Sequence, residues 1–215
     1  MAILKNFAVF EGLDGSGTTT QLNMLETFFL EKRQTLPPLY KTYEPTNGSI
    51  GELIRLNLRG EIALKPETVA LLFTADRNEH VWGPKGIAER CKAGELVVSD
   101  RYLFSSLVYQ GITCGDDLPV RLNRDFPRPE LLIFLDIDPE TAQKRMAERE
   151  QKEIFEYLEF QIQVRERYKA LLPQLSAEGV NVRVINASLP AGEVAAEVWS
   201  AIKKMPIFEE MGNRE

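Results

Sequence analysis

Five short apolar runs punctuate the chain: Phe7–Phe10 (FAVF), Leu39–Tyr43 (LYKTY), Leu96–Ser99 (LVVS), Leu131–Leu135 (LLIFL) and Val180–Ile185 (VNVRVI). At least three are nearly continuous in apolar residues, the pattern of strands buried on both faces. Longer stretches with helical spacing lie between them. Thr19–Arg33 carries Leu22, Leu25, Phe28 and Phe29 in one stripe, and Glu153–Leu175 carries Leu158, Ile162, Tyr168, Leu171 and Leu172. Lys65-Pro66-Glu67 and Asp138-Pro139-Glu140 each place a proline at a first helical position, where its missing N–H costs nothing. Strands alternating with helices predict an α/β fold on a parallel sheet, one domain over residues 1–215. Ligands of such sheets sit beyond the carboxyl ends of the strands. Four segments follow predicted strands there: Glu11–Thr20, Glu44–Ser49, Asp100–Gln110 and Asn186–Ser188.

Composition narrows the function classes. A net charge of −6 argues against a nucleic-acid partner, which wants a basic face. No apolar run approaches the ~18 residues of a spanning helix, so no membrane role is expected. The start, MAILKNFAVFEG, lacks a signal-peptide cleavage site, which predicts a cytoplasmic protein. Cys91 and Cys114 do not form a C-x-x-C pair and read as free thiols. The single histidine, His80, reads as a helix-surface or partly buried side chain rather than a catalytic or metal-binding one.

Chemistry concentrates in Phe10–Gln21, FEGLDGSGTTTQ. It follows the phosphate-loop pattern G-x-x-x-x-G-K-[ST] with Gly12, Gly17 and Thr19 in place, but Thr18 holds the lysine position. The loop lies between a predicted strand and a predicted helix. Gly12, Gly15 and Gly17 let successive N–H groups turn onto phosphate oxygens, and the helix opening adds partial positive charge. Neither contribution needs the lysine. Thr19 supplies a hydroxyl suited to magnesium.

Four further stretches follow: TYEPTNGSIGELIR (Thr42–Arg55), ETVALLFTADRNEHV (Glu67–Val81), VVSDRYLFSSLVYQG (Val97–Gly111) and FEYLEFQ (Phe155–Gln161). Phe73 and Arg77 are four apart and share a helix face, so a ring that stacks stands beside a guanidinium that donates to a carbonyl. With the glycine loop, the order and spacing of these stretches closely resemble the thymidylate kinase family, from the first strand to about Tyr168.

The resemblance implies a P-loop NTPase-type three-layer fold, a five-stranded parallel sheet with helices on both faces. It implies phosphoryl transfer from ATP to dTMP with Mg²⁺, in a homodimer. The ATP phosphates would lie on Gly12, Asp14, Gly15, Ser16, Gly17, Thr18, Thr19 and Thr20, with metal at Thr19 and Asp100. The dTMP site would draw on Glu44, Pro45, Phe73, Arg77, Arg101, Ser105, Ser106, Tyr109 and Gln110. Within it, Arg101 grips the monophosphate, Ser106 bonds the pyrimidine edge, Tyr109 packs near the sugar, and Glu44-Pro45 forms a wall with a cis bond. Asp14 lies near the phosphates, accepting from the acceptor phosphate or a lid arginine. A lid around 144–156 would bring Arg145 toward adenine and Arg149 and Lys152 toward the phosphates. The expected catalytic set is Asp14, Arg101 and Arg149.

Three positions depart from the family pattern by removing a cation: Thr18 in the loop, Tyr43 before Glu44-Pro45, and Ile154 in the lid. Losing one preorganised donor costs ~10²–10³ in rate, which weakens such an enzyme without abolishing it. A relocated cation offsets the loss, with Arg149, then Lys152, then Arg145 as candidates. Two alternatives stay open: a nucleotide-binding paralogue with weakened or absent catalysis, and a kinase for another nucleoside monophosphate.

Overall fold

The computed structural model describes residues 2–146, 155 and 157–212. In chain order the elements are β1 (Ile3–Gly12), α1 (Thr18–Glu31), β2 (Leu39–Tyr43), α2 (Ser49–Leu58), α3 (Pro66–Trp82), α4 (Ile87–Lys92) and β3 (Leu96–Asp100). An irregular helical run follows: α5 (Leu103–Ser105), a π-helical turn (Ser106–Gln110) and α6 (Gly111–Cys114). Then come α7 (Asp117–Asn123), β4 (Arg128–Asp136), α8 (Pro139–Met146), α9 (Leu158–Ala177), β5 (Asn181–Asn186), α10 (Ala191–Ile202) and α11 (Pro206–Gly212).

All strand pairs are parallel, in the order β2-β3-β1-β4-β5. The apolar runs have physical meaning in this order. Phe7–Phe10, Leu96–Val98 and Leu131–Leu135 are fully buried because β3, β1 and β4 are interior strands covered on both faces. LYKTY and VNVRVI are broken by polar residues because β2 and β5 are edges; Val184 on β5 is 58% exposed.

Several boundaries differ from the sequence expectation. β1 begins at Ile3, because Asn6 turns to φ 63° and absorbs a register shift that lets the polar start ILKN pair with β4. Helix α1 starts at Thr18 and stops at Glu31, and α9 runs Leu158–Ala177, continuing through Pro173. Of the α1 stripe, Leu22, Leu25 and Phe29 enter the core, while Phe28 packs on Trp199 of α10 with ring centroids 4.7 Å apart. Both proline-led helix starts form as expected at α3 and α8; Asp138 Oδ2 accepts the Thr141 amide at 3.1 Å, satisfying one free N–H of α8.

The order places the switch point beside β1. The chain leaves β1 and β3 on neighbouring strands, so the segments after Gly12 and Asp100 meet there, with the segment after Tyr43 alongside. Phe134, fully buried and tilted against Tyr168 at 4.9 Å, is central to the packing under this point. Phe134→Ala is expected to lower stability by about 3–5 kcal/mol, read as a fall in urea midpoint with an unchanged m value.

Candidate active site

At these strand ends lies a cavity of about 480 Å³. The glycine loop forms one wall. Gly15 has φ 83° and Gly17 φ 94°, conformations that strain any L side chain. Gly15 is constrained twice, since a Cβ there would stand 2.6 Å from the Ala142 carbonyl oxygen of α8. Gly17 opens α1, and Gln21 N donates to its carbonyl at 3.0 Å. The amides of the first turn, Thr18–Thr20, therefore face outward without helical acceptors. Thr18 itself lines the cavity and is 7% exposed.

The opposite side begins at Asp100 and Arg101. Arg101 holds φ 69° and its amide donates to the Phe10 carbonyl at 2.8 Å. Its guanidinium donates to Asp14 Oδ1 at 2.5 Å, Ser105 Oγ at 3.1 Å and the Gly12 carbonyl at 3.2 Å. Asp14 Oδ2 also accepts from Tyr109 OH at 3.1 Å and Gln161 Nε2 at 2.9 Å. Burial holds the Tyr109 phenol well above its ordinary range, so it remains a donor to that carboxylate. Asp14, expected to accept from the acceptor phosphate or a lid arginine, is bound among the described residues by Arg101, Tyr109 and Gln161.

A strained αL arginine needs a rigid setting, because such a conformation costs of order 1–3 kcal/mol. Glu11 supplies it. Its fully buried carboxylate accepts the Tyr102 amide at 3.0 Å, the Ser105 amide at 3.2 Å, Ser105 Oγ at 2.7 Å and Tyr168 OH at 2.7 Å. A β1 side chain thereby satisfies the start of α5 from across the sheet. Burial raises the Glu11 pKa; the Arg101 charge and these donors pull against the rise. The sequence reading missed Glu11, although a carboxylate ending a fully apolar run just before a glycine loop was a visible signal.

The third wall is a buried clamp behind the cis Glu44-Pro45 bond. Arg77, 1% exposed, donates to Glu44 Oε2 from Nε at 2.9 Å and Nη2 at 2.7 Å, to Ser106 Oγ at 3.0 Å and to Asn123 Oδ1 at 2.5 Å. A buried ion pair stands only when its hydrogen bonds are complete, and Glu44 Oε1 is engaged by His80 Nδ1 at 3.1 Å. His80 is half-buried as expected, and its other nitrogen meets Thr42 Oγ1 at 2.6 Å. Asp76, which the sequence reading passed over, fixes the turn by accepting Thr46 N at 2.7 Å and Thr46 Oγ1 at 2.6 Å.

Of the expected residues, Asp14, Gly15, Gly17, Thr18, Thr19, Thr20, Glu44, Pro45, Phe73, Arg77, Asp100, Arg101, Ser105, Tyr109 and Gln110 all line this cavity. Gly12, Ser16 and Ser106 lie behind it. Ser106 therefore meets Arg77 rather than an open pyrimidine edge, because the π-helical turn rotates it inward, 2% exposed. Arg145 is exposed on α8. Arg149, Lys152 and Ile154 lie outside the described residues. The cavity adds Lys41, Tyr43, Arg55, Leu58, Tyr102 and Phe155 to its walls. Asn186–Ser188 forms a local turn, Ser188 N donating to Asn186 Oδ1 at 3.0 Å.

The donor set fits magnesium. Thr19 Oγ1 donates to Asp100 Oδ2 at 2.6 Å, and Asp100 Oδ1 is buried with no partner among the described residues. No group of three or more His, Cys, Asp or Glu gathers elsewhere among them. Magnesium takes oxygen ligands and is usually completed by water and substrate phosphates, which suits one hydroxyl and one carboxylate.

A doubly wound sheet, a glycine loop opening a helix, and an arginine-bearing loop facing it across one cavity define a P-loop phosphotransferase. The thymidylate kinase family model matches residues 10–198. The chain is 40% identical over 209 residues to a protein named probable thymidylate kinase from Pyrobaculum aerophilum, covering 94% of this chain and 99% of that one. It is 41% identical over 205 residues to a protein of the same name from Methanococcus maripaludis, covering 93% and 96%. The solved thymidylate kinase structure from Candida albicans shares the fold, with TM-score 0.79 over 96% of this chain at 22% identity. The chain belongs to the thymidylate kinase family.

Glu11→Gln is expected to cost about 1–3 kcal/mol, because the amide turns a donor toward donors already buried. The pH dependence has a defined sign. The folded pKa lies above the ordinary carboxylate value, so the native state holds the proton longer, and the Glu11 contribution falls as pH rises from that ordinary value through the raised one. Denaturant titrations across that window should show this decline in the parent protein and its loss in Glu11→Gln.

Proposed function

We propose that this chain transfers the γ-phosphoryl group of ATP to dTMP, giving ADP and dTDP for deoxynucleotide synthesis. The observation that carries the proposal is the opposition, in one cavity, of unpaired helix-opening amides and a buried arginine clamp, with Arg101 between them. The amides of the loop cradle the donor phosphates. Arg101 exchanges its Asp14 contact for the dTMP phosphate and neutralises it. Phe73 stacks on the base, Arg77 donates to a base carbonyl, and Gln110 Oε1, buried without a partner among the described residues, accepts the ring N–H. Ser106 acts here through Arg77.

An oxygen of the dTMP phosphate then attacks the γ-phosphorus in line. The bond from that phosphorus to the β–γ bridging oxygen breaks, and ADP leaves with the electron pair. Thr19 and Asp100 would hold the magnesium ion, which when bound would supply charge neutralisation at the donor phosphates. Closure of the segment around 144–156 excludes water and brings Arg149, and secondarily Lys152 or Arg145, to the charge that Thr18 does not meet.

Homodimer formation belongs to the same proposal. Leu53 on α2 and Leu71 and Trp82 on α3 are 38%, 52% and 55% exposed on two helices that pack together, an apolar surface suited to a partner subunit.

A panel of nucleoside monophosphates incubated with ATP and Mg²⁺ should yield dTDP fastest; a faster product from any other acceptor would reassign the substrate. Arg149→Ala should lower turnover by ~10²–10³. An unchanged rate would remove Arg149 as the relocated cation. Arg101→Ala should raise KM for dTMP by ~10-fold or more, since a charge-assisted contact contributes about 1.5–3 kcal/mol.

A further inference from the structure

The buried clamp contains a residue that no motif in the sequence singles out. Asn123 closes α7, is 2% exposed, and stands 46 positions from Arg77 in the chain. Its amide is fixed at both ends. Nδ2 donates to the Pro119 carbonyl of the same helix at 2.8 Å, and Oδ1 accepts from Arg77 Nη1 at 2.5 Å.

A guanidinium carries five N–H groups in one plane. Glu44 Oε2 takes two, Ser106 Oγ one and Asn123 Oδ1 one. Among the described residues these bonds leave a single N–H, on Nη1, and Arg77 lines the cavity. The rings of Tyr102 and Phe126 lie 5.5 Å and 5.8 Å from the guanidinium carbon and restrict the tilt of its plane. Glu44 and Ser106 hold the Nε and Nη2 side. Among the described residues, Asn123 alone holds the nitrogen that carries the remaining donor.

We propose that Asn123 is a positioning residue for base selection. By occupying one Nη1 hydrogen, it makes Arg77 a single, fixed donor toward a base edge that presents a carbonyl, and sets it against an edge that presents an amino group. The inference rests on the reading of this cavity as the dTMP site. Thymine has a carbonyl at C4, where cytosine has an amino group. Without the Asn123 acceptor, Nη1 has two free hydrogens and the guanidinium can tilt. The contact to the carbonyl then weakens, and so does the rejection of the amino group. A site built to pair with a polar group discriminates because the wrong partner leaves buried groups unpaired.

The test compares steady-state kinetics with dTMP and dCMP, at saturating ATP and Mg²⁺, for the parent, Asn123→Leu, Asn123→Ser and Arg77→Ala. Asn123→Leu keeps the size and removes the acceptor; Asn123→Ser keeps a hydroxyl too short to reach. Both should raise KM for dTMP by about ten-fold, the effect of losing one hydrogen bond to a charged group. Turnover and KM for ATP should stay within about two-fold, while the dTMP:dCMP ratio of kcat/KM falls about ten-fold. Arg77→Ala tests the underlying site: an unchanged KM for dTMP would show that the base lies elsewhere. If Arg77→Ala raises that KM while both Asn123 variants match the parent in KM and base ratio, the site stands and the role of Asn123 falls. Equal loss toward both bases in step with a lower Tm also overturns it, because a folding defect does not distinguish them. If Asn123→Leu does not fold, Asn123→Ser decides.

Discussion

The carboxylate of Glu11 is the joint on which the cavity depends. It projects from the buried end of strand β1, next to Gly12 of the glycine loop, and ties three segments that are distant in the chain. Tyr102 and Ser105 reach it from the loop after β3, and Tyr168 reaches it from α9. A buried carboxylate without donors would be costly in this apolar setting. With its donors it becomes a fixed point, and it holds Arg101 in a backbone conformation the residue would otherwise leave. The phosphate loop and the arginine that faces it are thus registered against one side chain, not against a flexible connection.

A second theme is electrostatic. The chain carries a net charge of −6, yet its cavity must accept anions. Among the described residues four cations line the walls, and each has a carboxylate partner: Lys41 with Glu26, Arg55 with Glu52, Arg77 with Glu44, and Arg101 with Asp14. These pairs are not equivalent. The Arg77 pair is almost fully buried, and four of the five guanidinium N–H groups are engaged by Glu44, Ser106 and Asn123. The Arg101 pair is about one-fifth exposed on each side, within reach of solvent and of an entering phosphate. Pairing keeps the guanidiniums aligned, and in the proposed reaction binding exchanges one anion for another instead of collecting loose side chains. Preorganisation of this kind is where positioned charge has most effect.

The sheet was largely legible from the sequence, because burial on both faces leaves an unbroken apolar run and burial on one face does not. FAVF, LVVS and LLIFL mark interior strands for that reason, and LYKTY and VNVRVI mark edges. The glycine loop and the Asp100-Arg101 pair were legible as motifs set just after strands. The clamp was legible only in part. Phe73 and Arg77 sit one helical turn apart, but Asn123 and Gln161 enter from elements that the chain separates by 46 residues from Arg77 and 147 from Asp14. Local spacing carries no trace of such partners. Ser106, expected at the pyrimidine edge from the family resemblance alone, is buried in a π-helical turn and accepts from Arg77.

The threonine at the loop position has a chemical corollary. A phosphate loop with lysine carries a primary amine at its most sensitive point, open to acylation, carbamylation and aldehydes, each of which erases its charge. Thr18 offers no such handle, and the main-chain amides that face the cavity beside it are inert to these reagents. At this loop position the protein therefore presents no group for metabolic acyl donors or amine-directed covalent probes.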